Sequence, residues 1–459
     1  MRKDDPARTE PIRSSRKETS SKAHWITAPE RLKPTTNKNR MKNAPQYLIA
    51  GCAQCTTAVL ALCVFVMPAT AGTVRSVGAM TFIDANTLVV ADWRAGEIHA
   101  LQLPPAAAVT PRPFNLMNVS SPIARALRVS ADQLRFEDMA FRPGTELAYI
   151  SLSITGKKSI SRPALVAVDA AGAVTVLDLK RTPRTSAEIK SRPAADKFFW
   201  RDIPEATLTV TDLVYFDGKL YVAGLSNASF ASTLRVYDFP FTGGATATSI
   251  EMYHPVHNEW ETRAPIRKMA VVTLNGEPSL VAAFTCSPLV TIPLKDLKDG
   301  AHVTGKTIAE LGWGSAPVDM VTFDRGQEPM VLLTHSHKSA DLMSVSAIAK
   351  ASAETGLTTP ITWPSAPLLG LKSTYIPIAG VAHLGTQDAD FFGALRRDEA
   401  SGAMQLVSIR KGAFLRLSDF VNEYDFADFT YLPNDGFRDA HHQWRIDEGY
   451  PELAARAAR

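Results

Sequence analysis

Apolar residues along the chain come in short runs separated by turn residues, and the pattern returns. Ala79-Met80-Thr81-Phe82-Ile83 is followed by TLVVAD, Asp138-Met139-Ala140-Phe141 by ELAYIS, and Asp212-Leu213-Val214-Tyr215 by KLYVAG. Lys268-Met269-Ala270-Val271 with SLVAAF, Asp319-Met320-Val321-Thr322 with MVLLTH, and Gly380-Val381-Ala382-His383 with DFFGAL continue the series. Each unit reads as a short apolar strand, a turn with Gly, Asp or Asn, and a second strand rich in β-branched and aromatic residues. In most units a third strand is legible, as in EIHALQL, ALVAVDA with AVTVLDL, TLRVYDF, LVTIPL and MQLVSIR.

Short antiparallel sheets that recur, with no helical periodicity between them, predict an all-β chain folded as a β-propeller. A blade buries both faces against its neighbours, so runs such as TLVVA need not alternate. Six blades are expected over 72–420, with insertions stretching the spacing. Asp428-Phe429-Thr430-Tyr431-Leu432 resembles a seventh first strand, which makes seven blades the alternative. Otherwise 421–459 is a short C-terminal extension. The segment 73–78 is expected to add an edge strand that closes the ring. The organisation resembles the bacterial secreted propellers with quinoprotein-like or YVTN-type repeats over about 75–410. That resemblance rests on strand pattern alone and implies a fold, not an activity.

Ahead of the repeats, residues 56–67 (TTAVLALCVFVM) form an uncharged apolar run of signal-peptide length. Ala69-Thr70-Ala71 then gives an A-x-A cleavage pattern before Gly72. The reading is a signal peptide over 41–71, starting at Met41-Lys42, behind a basic and disordered extension over 1–40. The expected location is periplasmic or secreted. An uncleaved leader would instead anchor the chain in a membrane, still with 72–459 outside. Cys52, Cys55 and Cys63 lie in the leader, so Cys286 is the one cysteine of the mature chain.

Charge changes the picture once it is divided. Residues 1–40 hold 11 Lys/Arg against 5 Asp/Glu, whereas 72–459 hold 38 against 41. The body is mildly acidic, which excludes a non-specific nucleic-acid binder.

Candidate chemistry follows from the propeller geometry. First strands line the axis, so Asp138, Asp212, Lys268 and Asp319, at equivalent repeat positions, should converge at the channel entrance as a ligand-binding group. Three carboxylates there suit calcium, and such a centre could serve a lactonase- or esterase-like hydrolase. Strand-initial aspartates can equally bond neighbouring backbone amides, with Lys268 neutralising them. His254, His257 and Glu259 carry zinc- or copper-ligand types within six residues. Cys286 with His335 and His337 would suit copper or zinc in a redox protein. No P-loop, dinucleotide fingerprint or nucleophile elbow is present. The leading expectation is an exported scaffold that binds a periplasmic protein or a small-molecule ligand through its loop-rich face. The metal-dependent hydrolase and the copper-type redox protein are the alternatives.

Overall fold

The computed structural model describes residues 73–156, 161–286, 288–312, 315–361, 368–411, 426 and 428–431. Contacts divide the chain into Met1–Phe65 and Val66–Arg459, and every described residue belongs to the second unit. The segments expected to form a basic extension (1–40) and a leader (41–71), and most of the expected C-terminal extension, lie outside the described residues.

The described chain is all-β apart from helices Ser120–Leu127 and Val345–Ala353 and short 3-10 turns. Its repeated hairpins form where the alternating turns predict them. Asp212–Phe216 pairs antiparallel with Lys219–Leu225 across Asp217-Gly218, both of which have positive φ. That backbone is what a two-residue hairpin loop requires. Second strands are buried over most of their length, and Thr87–Asp92 at every position, because sheets pack on both of their faces.

The sheets stand in a propeller-like arrangement. Met80–Asp84, Leu134–Phe141, Asp212–Phe216, Ile266–Leu274, Pro317–Arg325 and Val381–Thr386 are the first strands of successive meanders. They touch in a closed cycle that does not follow chain order: the Asp138 strand neighbours the Met80 strand, which neighbours the Asp212 strand. The Lys268, Asp319 and His383 strands follow, and the last returns to the Asp138 strand. The chain builds three strands from Met80 to Gln102, then leaves Asn115–Leu116 on the edge of the final meander. It next forms the Asp138 sheet and comes back with Arg184–Glu188 to complete the first. Two edges, early and late, are thus closed by strands distant in sequence.

Three expectations are corrected here. The closing strand is Asn115–Leu116 rather than 73–78, which is not a strand; the Arg75 amide and the Ser76 hydroxyl instead donate to Asp92. Residues 428–431 form no strand, so no seventh first strand appears among the described residues. Six separate blades are also not what the hydrogen bonds make: among the described residues there are four four-stranded sheets, one ten-stranded sheet and a two-stranded hairpin. The large sheet arises because two long outer strands, Thr246–His254 and His302–Leu311, pair in parallel over Ser249–Met252 and His302–Gly305. Open strand edges seek partners, and these two satisfy each other.

Core clusters sit between neighbouring sheets. Phe141, Ile150 and Leu152 of one meander pack with Leu395 and Leu406 of the next. Burying each such side chain is worth about 1.5–3 kcal/mol. Approach is close: a Cβ on Gly393 would stand 1.9 Å from Cζ of Phe141. On the side of the sheets opposite to the strand starts, the buried Arg142 guanidinium donates to the carbonyls of Ala85 and Pro104, tying one sheet to a hairpin of its neighbour.

Candidate functional site

The repeated aspartates meet at the axis. Asp138 Oδ2 accepts the Met80 N–H at 2.6 Å, Asp212 Oδ2 that of Met269 at 2.8 Å, and Asp319 Oδ2 that of Leu384 at 2.8 Å. Each carboxylate therefore pins its own first strand to the next one round the cycle. The residues preceding those three amides are Ala79, Lys268 and His383. Going round, the ring reads Asp138, Ala79, Asp212, Lys268, Asp319, His383, with an acid at every second place.

Charges are matched within the ring. Lys268 Nζ lies 2.7 Å from Asp319 Oδ1 and 3.4 Å from Asp212 Oδ1. His383 Nδ1 stands 3.5 Å from both Asp138 Oδ1 and Asp319 Oδ2. Burial pushes Asp212 up to about 6 against the pull of Lys268. It also raises Asp138, although Lys268 and His383 oppose it. Burial works on Asp319 too, but Lys268 and His383 on its two sides hold it below the usual carboxylate range. For Lys268, desolvation favours the neutral amine, and the three carboxylates outweigh it, so its pKa rises. His383 is raised in the same way by Asp319 and Asp138, against its burial.

The ring residues do not suit calcium well. Asp138, Asp319 and His383 do bring ligand atoms within 4.8 Å of one another. Calcium, however, takes six to eight oxygens, and here each aspartate spends an oxygen on a main-chain amide while an ammonium sits between two of the carboxylates. The geometry is that of the amide-bonding reading. All three aspartates are buried, with 6–9% of their surface exposed.

A second cluster lies where the two long outer strands end. His254 is the last residue of its strand, and the loop that follows turns back as Glu259–Glu261, which pairs with Met252–His254. Glu261 Oε1 lies 2.8 Å from His254 Nδ1 and 2.5 Å from His257 Nδ1. These three can share an ion. Glu261, not the exposed Glu259, is the carboxylate that meets both imidazoles. On the far side of the His254 ring, Glu310 Oε2 stands 3.5 Å from Nε2. His254 and Glu310 are each 1% exposed. Among the described residues neither Glu310 oxygen receives a hydrogen bond of ordinary geometry. Burial pushes its carboxyl up to about 8; the nearby Gly312 amide and Lys338 offset only part of that.

The proposed trio of Cys286, His335 and His337 does not form a metal-sized group among the described residues. His335 is buried and its Nε2 lies 2.6 Å from Asp341, a carboxylate also held by Lys338. His337 is exposed and meets its neighbour Ser336. Strand alternation would keep residues 335 and 337 on one face, but the strand ends at His335 and the chain bends over 336–338, so the two imidazoles part. Cys286 sits in a turn with φ of +64°.

Both clusters open toward one end of the sheets. The connection from an outer strand to the next first strand lies where that first strand begins. Residues 255–265 therefore share an end with Lys268, and 189–211 share one with Asp212. The second insertion carries a hairpin, Phe198–Phe199 with Ile203–Pro204, whose Trp200 is 86% exposed. Phe198 and Ile203 are exposed beside it.

Sequence reasoning missed His383, Glu261 and Glu310. His383 was readable: the sixth repeat aligns on His383-Leu384 rather than on Gly380. Glu310 stands alone among apolar neighbours in Ile308-Ala309-Glu310-Leu311, and a carboxylate in such a strand marks a buried polar role. No family model matches this chain, and no curated protein shows significant similarity to it.

Proposed function

We propose that this chain is an exported binding scaffold that engages a partner protein through the loop-rich face at the strand starts. The observation that carries the reading is the aromatic hairpin on that face, with Trp200 almost fully exposed beside Phe198 and Ile203. Exposed aromatic anchors are costly to hydrate and are enriched among residues that dominate interfaces. The propeller-like body is consistent with such a role, and the axis favours it as well. A ring whose acids and bases neutralise one another supplies neither an unpaired base nor an activated nucleophile. Export is part of the same reading and rests on the apolar run at 56–67 with Ala69-Thr70-Ala71.

A photo-crosslinking residue at position 200, compared with one at Asn275 on the opposite end of the sheets, tests the scaffold. The expected result is one discrete adduct from position 200, lost when Phe198 and Ile203 are replaced by Ser, and none from position 275. Equal or absent labelling at both positions would remove the reading. N-terminal sequencing of the mature chain checks the leader, with Gly72 as the expected first residue.

A further inference from the structure

We infer that His254, His257 and Glu261 form a binding site for a divalent transition ion of the zinc class, with Glu310 orienting His254 from behind. The inference is independent of the scaffold reading. Two imidazoles and a carboxylate are the donor set of open, three-ligand zinc sites.

The single Glu261 Oε1 lies between His254 Nδ1 and His257 Nδ1 at 2.8 and 2.5 Å. Small outward shifts of the half-exposed His257 and of Glu261 would leave room for an ion bound to all three. The buried Glu310 is the second, independent observation. Its carboxyl faces His254 Nε2 at 3.5 Å, neither that nitrogen nor the two carboxyl oxygens makes a hydrogen bond of ordinary geometry among the described residues, and the Gly312 amide is the one main-chain donor acting on it. A carboxyl buried with so few donors is costly to ionise.

The tautomer of His254 links the two observations. When Nδ1 donates its hydrogen bond to Glu261, the neutral ring turns its Nε2 lone pair toward Glu310 and offers that side chain no donor. When Nδ1 donates its lone pair to a metal, the proton resides on Nε2 and points at Glu310. That is the carboxylate–histidine–metal arrangement which fixes ring orientation and raises ligand basicity. The sheet merger makes it possible, because parallel pairing of the two outer strands sets His254 beside the end of the strand that carries Glu310. Thr307 fastens the junction by donating its hydroxyl hydrogen to the Tyr253 carbonyl.

The test uses the mature chain and zinc alone, titrated against a chromophoric chelator. One equivalent of zinc is expected in the parent. His257→Ala and Glu261→Gln should each weaken binding more than tenfold. Glu310→Gln should weaken it about 10–100-fold, the usual effect of removing an orienting partner. His302→Ala, at a histidine on the neighbouring strand paired with Glu251, should bind like the parent. Zinc-free melting curves for each variant separate lost ligands from lost fold, and His257, at an exposed loop position, is the variant least able to disturb folding. No zinc uptake by the parent overturns the site. So does parent-level uptake by both His257→Ala and Glu261→Gln, or an equal loss in His302→Ala. If Glu310→Gln alone binds like the parent, the orienting role falls.

Discussion

Lys268 and Asp319 face each other across neighbouring first strands, 2.7 Å apart and almost wholly out of water. The same ammonium reaches Asp212 on its other side. One lysine thus neutralises two strand-pinning carboxylates, and the aspartates can hold the cycle together only because it is there.

Lys268→Met should therefore cost about 3–5 kcal/mol of stability at pH 7, the range for breaking a buried ion pair from one side. Part of the loss should return near pH 5, where protonation relieves the stranded carboxylates. Urea unfolding at both pH values measures this; an equal loss at both would show that lost packing, not charge, is responsible.

The parent should itself be more stable in mild acid than at neutral pH. The folded pKa of Asp212 is about 6 against a reference of 3.8, so between those values the native state holds a proton that the unfolded chain has released. Stability then falls as pH rises through that window. Asp138 acts in the same sense. His383 is raised above 6.5, so its contribution is complete below 6.5 and is lost as pH climbs through the folded value. Asp92, Asp319 and Asp341 are lowered from 3.8, and their stabilisation is lost as pH drops through their folded values. Asp212→Asn should flatten the slope between about pH 4 and 6. An unchanged slope in melting temperature would count against this assignment.

Gly393→Ala should destabilise by about 1–3 kcal/mol or more, as overpacking does, because the new methyl would occupy the place of the Phe141 ring edge. Adding Phe141→Leu should restore part of the loss, since the two changes share one space. A double-mutant cycle that proves additive would show that the sheets can spread at no cost.

Arg235 is 2% exposed and donates to the carbonyls of Leu225, Ser191 and Thr209. Arg235→Met takes the guanidinium donor from all three oxygens, of which Ser191 keeps the Asn227 amide, and a loss of about 2–3 kcal/mol is expected. Arg235→Lys should recover little, because one ammonium cannot span three carbonyls that a planar fork reaches. Chemical denaturation of the two variants checks the difference.

Much of this architecture is written locally. Hairpins such as Asp212–Leu225 follow from apolar runs around Asp-Gly and Asn-Gly turns, and the return of an aspartate at the same place in three of the six repeats announces that distant strands share an axis. Local pattern sets strand and turn because backbone preference and side-chain alternation act over a few residues. Three features lie beyond its reach. Which meander neighbours which was decided by long-range edge pairing, where Asn115–Leu116 and Arg184–Glu188 close sheets begun far away in sequence. The joining of two outer strands, and with it the meeting of His254 and Glu310, depends on a parallel contact that no periodicity signals. The roles of the axial aspartates were also settled in three dimensions: their spacing was visible, but only packing brought Lys268 and His383 between them and gave their oxygens the amides of adjoining strands.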